Sequence, residues 1–226
     1  MSKKKNILIT GGVGFVGTNL AEKLLSQGHN VISIDDYSFG KKENELEGVH
    51  YINDDITNIS SISESIDICY HLAAKARVQP SFEDPVDYFR VNVKGTMKVM
   101  DWAKKNNVKV VYAGSSSRHF SPEDSPYAMY KFLGEQLCRL YKKSYDLKVE
   151  IARFYNVYGP RENRDEKFGN VIGIWTTKAL KGDPLPIVGD GMQRRDFTHV
   201  HDIVDGLVKI GFSEISIASR VENSAE

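Results

Sequence analysis

The chain is short of cysteine, of net charge and of long apolar runs. Its 226 residues include two cysteines; Cys69 falls in the apolar run Ile66 to Leu72 and Cys138 inside an expected helix. Both read as small buried hydrophobes, with neither a disulfide framework nor a metal-type spacing. Thirty Lys and Arg balance thirty Asp and Glu, so nothing in the overall charge draws the protein to nucleic acid or to an acidic membrane surface. No stretch reaches the roughly 18 apolar residues of a membrane span, and Met1 to Lys5 leads straight into a strand rather than a signal peptide. A cytoplasmic protein is the expectation, with Lys3, Lys4 and Lys5 a solvated end. Among six histidines, His199 and His201 would share one face of a strand, but no third ligand accompanies them and no metal is expected.

What is present begins at NILITGGVGFVG, Asn6 to Gly17. A short apolar strand runs into glycines at 11, 14 and 17 and then into an amphipathic helix, the pattern of a dinucleotide pyrophosphate site. Gly11 permits a tight turn, Gly14 lets backbone N–H groups approach the phosphates, and Gly17 lets the helix pack closely. Val16, Leu20 and Leu24 repeat along one helix face, and Gly28 falls where a C-terminal cap belongs. The next strand, Val31 to Ile34, ends in Asp35, placed to meet adenosine ribose hydroxyls. An acid there repels a 2′-phosphate, which favours NAD over NADP.

Strand and helix signals then alternate, arguing for a mostly parallel sheet with helices on both faces. The expected strands are Asn6 to Thr10, Val31 to Asp35, His50 to Asn53, Ile66 to Leu72, Val108 to Ala113 and Val149 to Phe154. Expected helices run over Val16 to Gln27, Ile59 to Glu64, Pro85 to Asn106 and Tyr127 to Tyr145. Beyond Phe154 the pattern changes: Asn156 to Arg164 and Gly182 to Arg195 read as long loops over a cleft. Helices are expected at Gly169 to Lys181 and Val200 to Gly211, and the tail from Ser213 shows little periodicity. In such a sheet the ligand lies across the carboxyl ends of the strands.

Tyr127 and Lys131 form a YxxxK spacing, a phenol and an ammonium one turn apart on one helix face. A tyrosine with an ordinary pKa of about 10 is a poor base at neutral pH, and a nearby cation favours its phenolate. Upstream, the strand ending at Ala113 runs into Gly114, Ser115, Ser116 and Ser117, placing hydroxyls at the same end of the sheet. Tyr130 has Gly134 four residues on and reads as packing.

Taken together, these segments resemble the extended short-chain dehydrogenase/reductase family, in particular its NAD-dependent nucleotide-sugar epimerases and dehydratases of the UDP-glucose 4-epimerase type. The resemblance covers about Asn6 to Gly206 and rests on GGVGFVG, IDD (34–36), DDI (54–56), HLAA (71–74), VNVKGT (91–96), GSSS (114–117), YAMYK (127–131), RFYNVYGP (153–160) and RRDFTHVHD (194–202). It implies an α/β fold, a Rossmann-type doubly wound parallel sheet (1–155) with a small, apparently truncated C-terminal substrate lobe (156–226) interleaved with it. For NAD it implies Gly11, Gly14, Phe15, Val16 and Gly17 at the pyrophosphate, Asp35 and Asp36 at the adenosine ribose, and Asp55 and Ile56 at the adenine. Leu72, Ala73 and Ala74 would line the cofactor, Lys131 would hold its ribose beside Tyr127, and Asn92 would buttress the nearby helices. Tyr127 becomes the base, with Lys131 as its cation and Ser115, or less favourably Ser116, as the Ser/Thr partner. Asn156, Asn170 and Val171 would contact the nucleotide sugar, a UDP-sugar, and Arg195 its diphosphate; the alternative for Arg194 and Arg195 is a surface pair beside Asp196.

The chemistry so implied is 4-epimerisation through a transient 4-keto sugar. Ser116, Ser117 and Arg118 stand where dehydratases and decarboxylases of the family carry acids, which ranks epimerisation above elimination. A 4,6-dehydratase or reductase, and a non-catalytic NAD-binding protein, remain the alternatives. Two departures stand out. Ser115 and Tyr127 are only 12 residues apart and Arg118-His119-Phe120 replaces VYG, opening the cleft unless Phe120 or Pro122 fills it. The chain also stops soon after RDFTHV, which would leave Ile174, Trp175 and Leu180 exposed. The resemblance further implies a homodimer through Pro85 to Asn106 and Tyr127 to Tyr145, unless Leu133, Leu137 and Leu140 face their own sheet.

Overall fold

The structure, a computed structural model, describes residues 3–187 and 189–214. Most of the aperiodic tail, from residue 215, lies outside the described residues. β1 (Asn6–Thr10) passes through the glycine turn into α1 (Phe15–Ser26), and β2 (Asn30–Asp35), β3 (Val49–Asn53) and β4 (Ile68–His71) follow. Then come α2 (Val78–Glu83), α3 (Pro85–Phe89) and α4 (Thr96–Asn106), the last two joined by a π-helical turn over Arg90–Gly95. β5 (Lys109–Ser115), α5 (Pro126–Tyr145) and β6 (Val149–Phe154) complete the main sheet. The remainder holds β7 (Val157–Tyr158), α6 (Val171–Lys181), β8 (Thr198–His199) and α7 (Val200–Phe212).

Six parallel strands lie in the order β3-β2-β1-β4-β5-β6. The order reverses between β1 and β4, so right-handed crossovers send helices to opposite faces and leave a crevice at the strands' carboxyl ends. The period of two in β1 shows the division: Leu8 joins one core with Val99, Met100 and Trp102 of α4 and Cys138 of α5, while Ile7 and Ile9 join the other with Leu20 and Leu24 of α1. Both faces are covered, which is why the strands read as unbroken apolar runs. Cys69 and Cys138 are buried free thiols, as their surroundings led one to expect. Gly28, at φ +82°, ends α1 by donating its N–H to the Leu25 carbonyl.

The differences from expectation have local causes. Over Ile59 to Glu64 there is no α-helix; Ile56–Ser61 forms 3₁₀ turns, started by the Asp55 carboxylate accepting from Thr57 N at 2.7 Å. Short, β-branched and Ser/Asn-rich, that segment competes poorly for α-helix. The single helix expected over Pro85 to Asn106 is interrupted by the π turn, where a Cβ on Gly95 would come 2.9 Å from Ile56 Cγ2. Helix α2 was not anticipated. Nor was the two-stranded parallel sheet of β7 and β8, after which α7 returns to the main sheet and buries Val200, Val204 and Leu207 there. His199 and His201 therefore do not share a strand face: His199 ends β8 and its Nδ1 accepts the His201 N–H at the start of α7.

Candidate active site

The dinucleotide cradle is built by close approach. A Cβ on Gly11, whose φ is +77°, would lie 2.9 Å from the Ala73 backbone, and one on Gly17 only 2.1 Å from the Gly11 carbonyl. Gly14 differs, since a Cβ there would meet nothing nearer than Gly11 O at 3.3 Å; its open side faces a cleft of about 330 Å³ lined by Gly11, Gly14, Phe15, Val16 and Gly17. Gly14 is also the N-cap of α1 and brings no side-chain cap, so first-turn N–H groups and the positive end of the helix remain for an anion. At the end of β2, Asp35 lines the same cleft and accepts from Val13 N (3.1 Å) and Tyr37 N (2.9 Å). Burial raises its pKa, and the two backbone bonds oppose that rise. Asp36, Ile56, Leu72, Ala73 and Ala74 complete this end, and the residues present fit a dinucleotide.

At the other end, β5 delivers Ser115 and α5 delivers Tyr127 and Lys131. Ser125 caps α5 by accepting from Ala128 N, and Pro126 occupies its first turn, which sets Tyr127 at the cleft wall. The Tyr127 hydroxyl donates to Ser115 Oγ at 3.4 Å. Burial pushes the phenol's pKa up, whereas the Ser115 hydrogen bond and then the Arg77 charge pull it down. Lys131, the expected cation, lines the same cleft as Tyr127; its ammonium donates to the Ala113 carbonyl at 2.6 Å and lies 4.8 Å from the centre of the Tyr112 ring. Burial lowers its pKa to about 8, against smaller upward effects of Cys138 and Glu135. Tyr130 packs edge-on against Phe89.

Several sequence-predicted residues lie outside the cleft lining. Asp55 spends its carboxylate on Thr57 and an ion pair with Arg90, leaving Asp54 and Ile56 to line the cleft. Asn92 brackets the Lys75 backbone, accepting from its N–H at 2.8 Å and donating to its carbonyl at 2.9 Å, so it shapes the lining without entering it. Ser116 is carried into a 3₁₀ turn, Asn156 donates to the Asp196 carbonyl, and Val171 begins α6 exposed. Arg195 sits in an exposed loop, bonded to the Arg194 carbonyl, so its guanidinium does not reach the cleft. Asn170 does line it. Phe120 is 64% exposed; with Pro122 it borders a smaller cavity of about 150 Å³ behind Ser115 and Lys131, so neither fills the space left by the short loop. Trp175 and Leu180 are exposed as expected, while Ile174 is half-buried.

Sequence reasoning missed Arg77 and Glu162, both in the lining. Glu162 has a buried carboxylate oxygen without a hydrogen-bond partner among the described residues, and burial raises its pKa. Arg77 follows β4 by six positions and Glu162 falls in the Asn156 to Arg164 loop read as lying over a cleft, so inspection of every residue in the loops after strands would have found both.

A cleft over the β1/β4 reversal, with glycines at one end and buried hydroxyls at the other, defines a Rossmann-type dinucleotide-binding protein. Residues 7–213 match the NAD dependent epimerase/dehydratase family. The chain belongs to that family, whose cofactor is NAD. It is 30% identical over 243 residues to UDP-glucuronic acid decarboxylase 1 of Xenopus tropicalis, covering 99% of this chain and 57% of that protein. To a putative UDP-glucose 4-epimerase of Methanocaldococcus jannaschii it is 34% identical over 216 residues, covering 87% and 70%. Among solved structures, the UDP-N-acetylglucosamine 4-epimerase of Methanobrevibacter ruminantium in complex with UDP-N-acetylmuramic acid superposes with a TM-score of 0.88 at 31% identity, covering 95% of this chain and 75% of that one. The chain thus spans little more than half the length of some curated relatives it matches, and these relatives include both epimerases and decarboxylases. Among the described residues no helix is long and apolar enough to cross a membrane.

Proposed function

We propose that this chain acts on a UDP-sugar as a 4-epimerase, with Tyr127 as base and Ser115 as its hydroxyl partner. The observation that carries the reading is the Tyr127 to Ser115 hydrogen bond in the cleft wall, opposite the glycine cradle. NAD, when bound, supplies the hydride acceptor for the sugar carbon. Tyr127 takes the proton of the sugar 4-hydroxyl, and Ser115 Oγ orients the phenol that receives it. Lys131, with its pKa lowered to about 8, adds positive potential to the floor and holds the cofactor ribose. Gly11 to Gly17 hold the pyrophosphate and Asp35 the adenosine ribose, while Asn170 and the part of the chain after Tyr155 face the nucleotide sugar. No carboxylate follows Ser115 directly, which supports epimerisation over elimination.

We also infer a homodimer through α3, α4 and α5, where Val86, Phe89, Met97 and Leu140 are exposed. The test of activity is direct. Incubating the protein with NAD and UDP-glucose, UDP-galactose or UDP-glucuronate, and following products by NMR, should show 4-epimers. Tyr127→Phe should retain its melting temperature and lose about 10²- to 10⁴-fold in rate. A Tyr127→Phe protein of full activity overturns the assignment; carbon dioxide release from the uronate would make it a decarboxylase. A melting temperature raised by NAD but by no UDP-sugar would make it a binding protein only.

A further inference from the structure

Among the described residues that line the cleft, Glu162 is the one whose side chain holds a buried polar atom without a hydrogen-bond partner, its Oε2. Such an atom costs free energy in the folded chain and persists where something outside the chain satisfies it. The carboxyl group is also held in place. Arg161, just before it, has a φ of +68°, unfavourable for a residue with a Cβ unless its surroundings over-determine it. They do so: its guanidinium forks onto the Glu22 carboxylate at 2.9 and 3.1 Å and reaches Asn19 Oδ1 at 3.1 Å, while Asn19 donates to the Pro160 carbonyl at 3.0 Å. Glu162 itself donates its N–H to the Gly159 carbonyl at 3.2 Å. On the other side α6 closes in, since a Cβ on Gly173 would lie 3.2 Å from Glu162 Cδ.

The cations of the same lining are engaged elsewhere. Lys75 is paired with Asp87, Arg77 donates to the Phe168 carbonyl at 2.8 Å and to Asn170 Oδ1, and Lys131 donates to the Ala113 carbonyl. The other acids of the lining stand at the adenosine end, where Asp35 ends β2 and Asp36 and Asp54 follow β2 and β3. Glu162 instead belongs with Asn163, Phe168 and Asn170 to the segment after β7, the part of the chain that the proposed function turns toward the nucleotide sugar. What Oε2 lacks is a donor. A sugar hydroxyl supplies one, whereas an ionised sugar carboxylate has no proton to give and brings a second negative charge. We propose that Glu162 is a specificity-determining residue: its Oε2 accepts from a hydroxyl of the bound sugar, and its carboxylate turns away sugars that carry an acid, so that UDP-hexoses are taken in preference to UDP-uronates. This rests on the cleft taking a UDP-sugar, and not on which reaction follows.

The test measures binding of UDP-glucose and UDP-glucuronate to the NAD-loaded protein by calorimetry at pH 8, in the wild type, Glu162→Gln and Glu162→Ala. Uridine and diphosphate are common to both ligands, so the ratio of their Kd values isolates the acid on the sugar. The wild type should bind UDP-glucose more tightly. Glu162→Gln keeps the shape and removes the charge; it should narrow the ratio by about 10-fold, chiefly by tightening UDP-glucuronate. Glu162→Ala loses the acceptor as well and should weaken UDP-glucose by about 5- to 10-fold. A wild type that prefers the uronate overturns the proposal, as does a ratio unchanged in Glu162→Gln or an equal loss for both ligands in both variants, which would make the effect structural. Because the readout is binding, it stands apart from the epimerase assay. Selective binding without epimer formation keeps this inference and removes the 4-epimerase reading, epimer formation with an unchanged ratio does the reverse, and binding of neither ligand overturns both.

Discussion

Glu135 receives Arg153 through both carboxylate oxygens, at 3.0 Å from Nε and 2.8 Å from Nη2, one helical turn beyond Lys131. The pair ties α5 to β6 and sets a negative charge near the buried ammonium, one of the influences that hold up its pKa. Glu135 is almost fully buried while Arg153 keeps contact with solvent, so screening reduces the pair's worth. Glu135→Gln should cost about 1–3 kcal/mol in urea unfolding and push the Lys131 pKa further below 8. Unchanged stability would show that the fork contributes nothing.

Lys131 should give the cofactor-free protein an alkaline signature. Its folded-state pKa is about 8 against an ordinary 10.5, with burial the main cause. Between those values the unfolded chain binds a proton that the folded protein does not, so stability rises with pH across the window. The gain is about 3 kcal/mol. Lys131→Met should remove that rise, seen by comparing denaturant midpoints at pH 8 and pH 10.5.

His71 should act at the acid end. It is fully buried between Thr10 Oγ1 (2.9 Å from Nδ1) and Thr96 Oγ1 (3.0 Å from Nε2). Thr96 donates its own proton to the Asn92 carbonyl, which assigns the imidazole proton to Nε2 and leaves Nδ1 to accept from Thr10. Burial, then the Lys131 charge, push its pKa down to about 3 from 6.5. Below pH 6.5 only the unfolded chain protonates, so stability should fall by about 1.4 kcal/mol per pH unit down to about pH 3. His71→Gln should flatten that slope.

The glycines of the cradle should separate folding from binding. Gly17→Ala places a methyl 2.1 Å from the Gly11 carbonyl and should destabilise by about 3 kcal/mol. Gly14 has an ordinary φ of −75° and a Cβ there would meet only the Gly11 carbonyl, at 3.3 Å, a tight contact that a shift of a few tenths of an ångström relieves, so Gly14→Ala should fold within about 1 kcal/mol of the wild type. Its methyl stands over the helix start, however, and should abolish stabilisation by NAD. Melting curves of both variants with and without NAD distinguish the two effects.

Phe89 and Leu140 should report on assembly. Both are about half exposed on α3 and α5, where the inferred two-fold would bury them. Phe89→Glu together with Leu140→Glu should halve the mass measured by light scattering. A wild-type monomer would remove the dimer.

Much of the fold was legible because its determinants are local. A β-branched apolar run of five or six residues bounded by turn signals reads as a strand covered on both faces, and glycines at 11, 14 and 17 between such a strand and an amphipathic helix are spaced for a turn and a close helix. Tyr127 and Lys131 were found from a spacing of four, which any α-helix converts into one face. Where local signals were weak, as over Ile59 to Glu64, a capping carboxylate at Asp55 and the packing of Ile56 decided the backbone.

By itself the sequence determined the order of strands and helices, the glycine cradle and the phenol–ammonium spacing, because each depends on neighbours within a few residues. Tertiary structure alone decided where the Lys131 ammonium finds its acceptor, and that Arg195 stays in an exposed loop while Arg77 lines the cleft. Side-chain charges choose partners by distance and burial, and those follow from contacts between segments as far apart as Arg77 and Asn170, 93 residues along the chain, which no spacing along the sequence encodes.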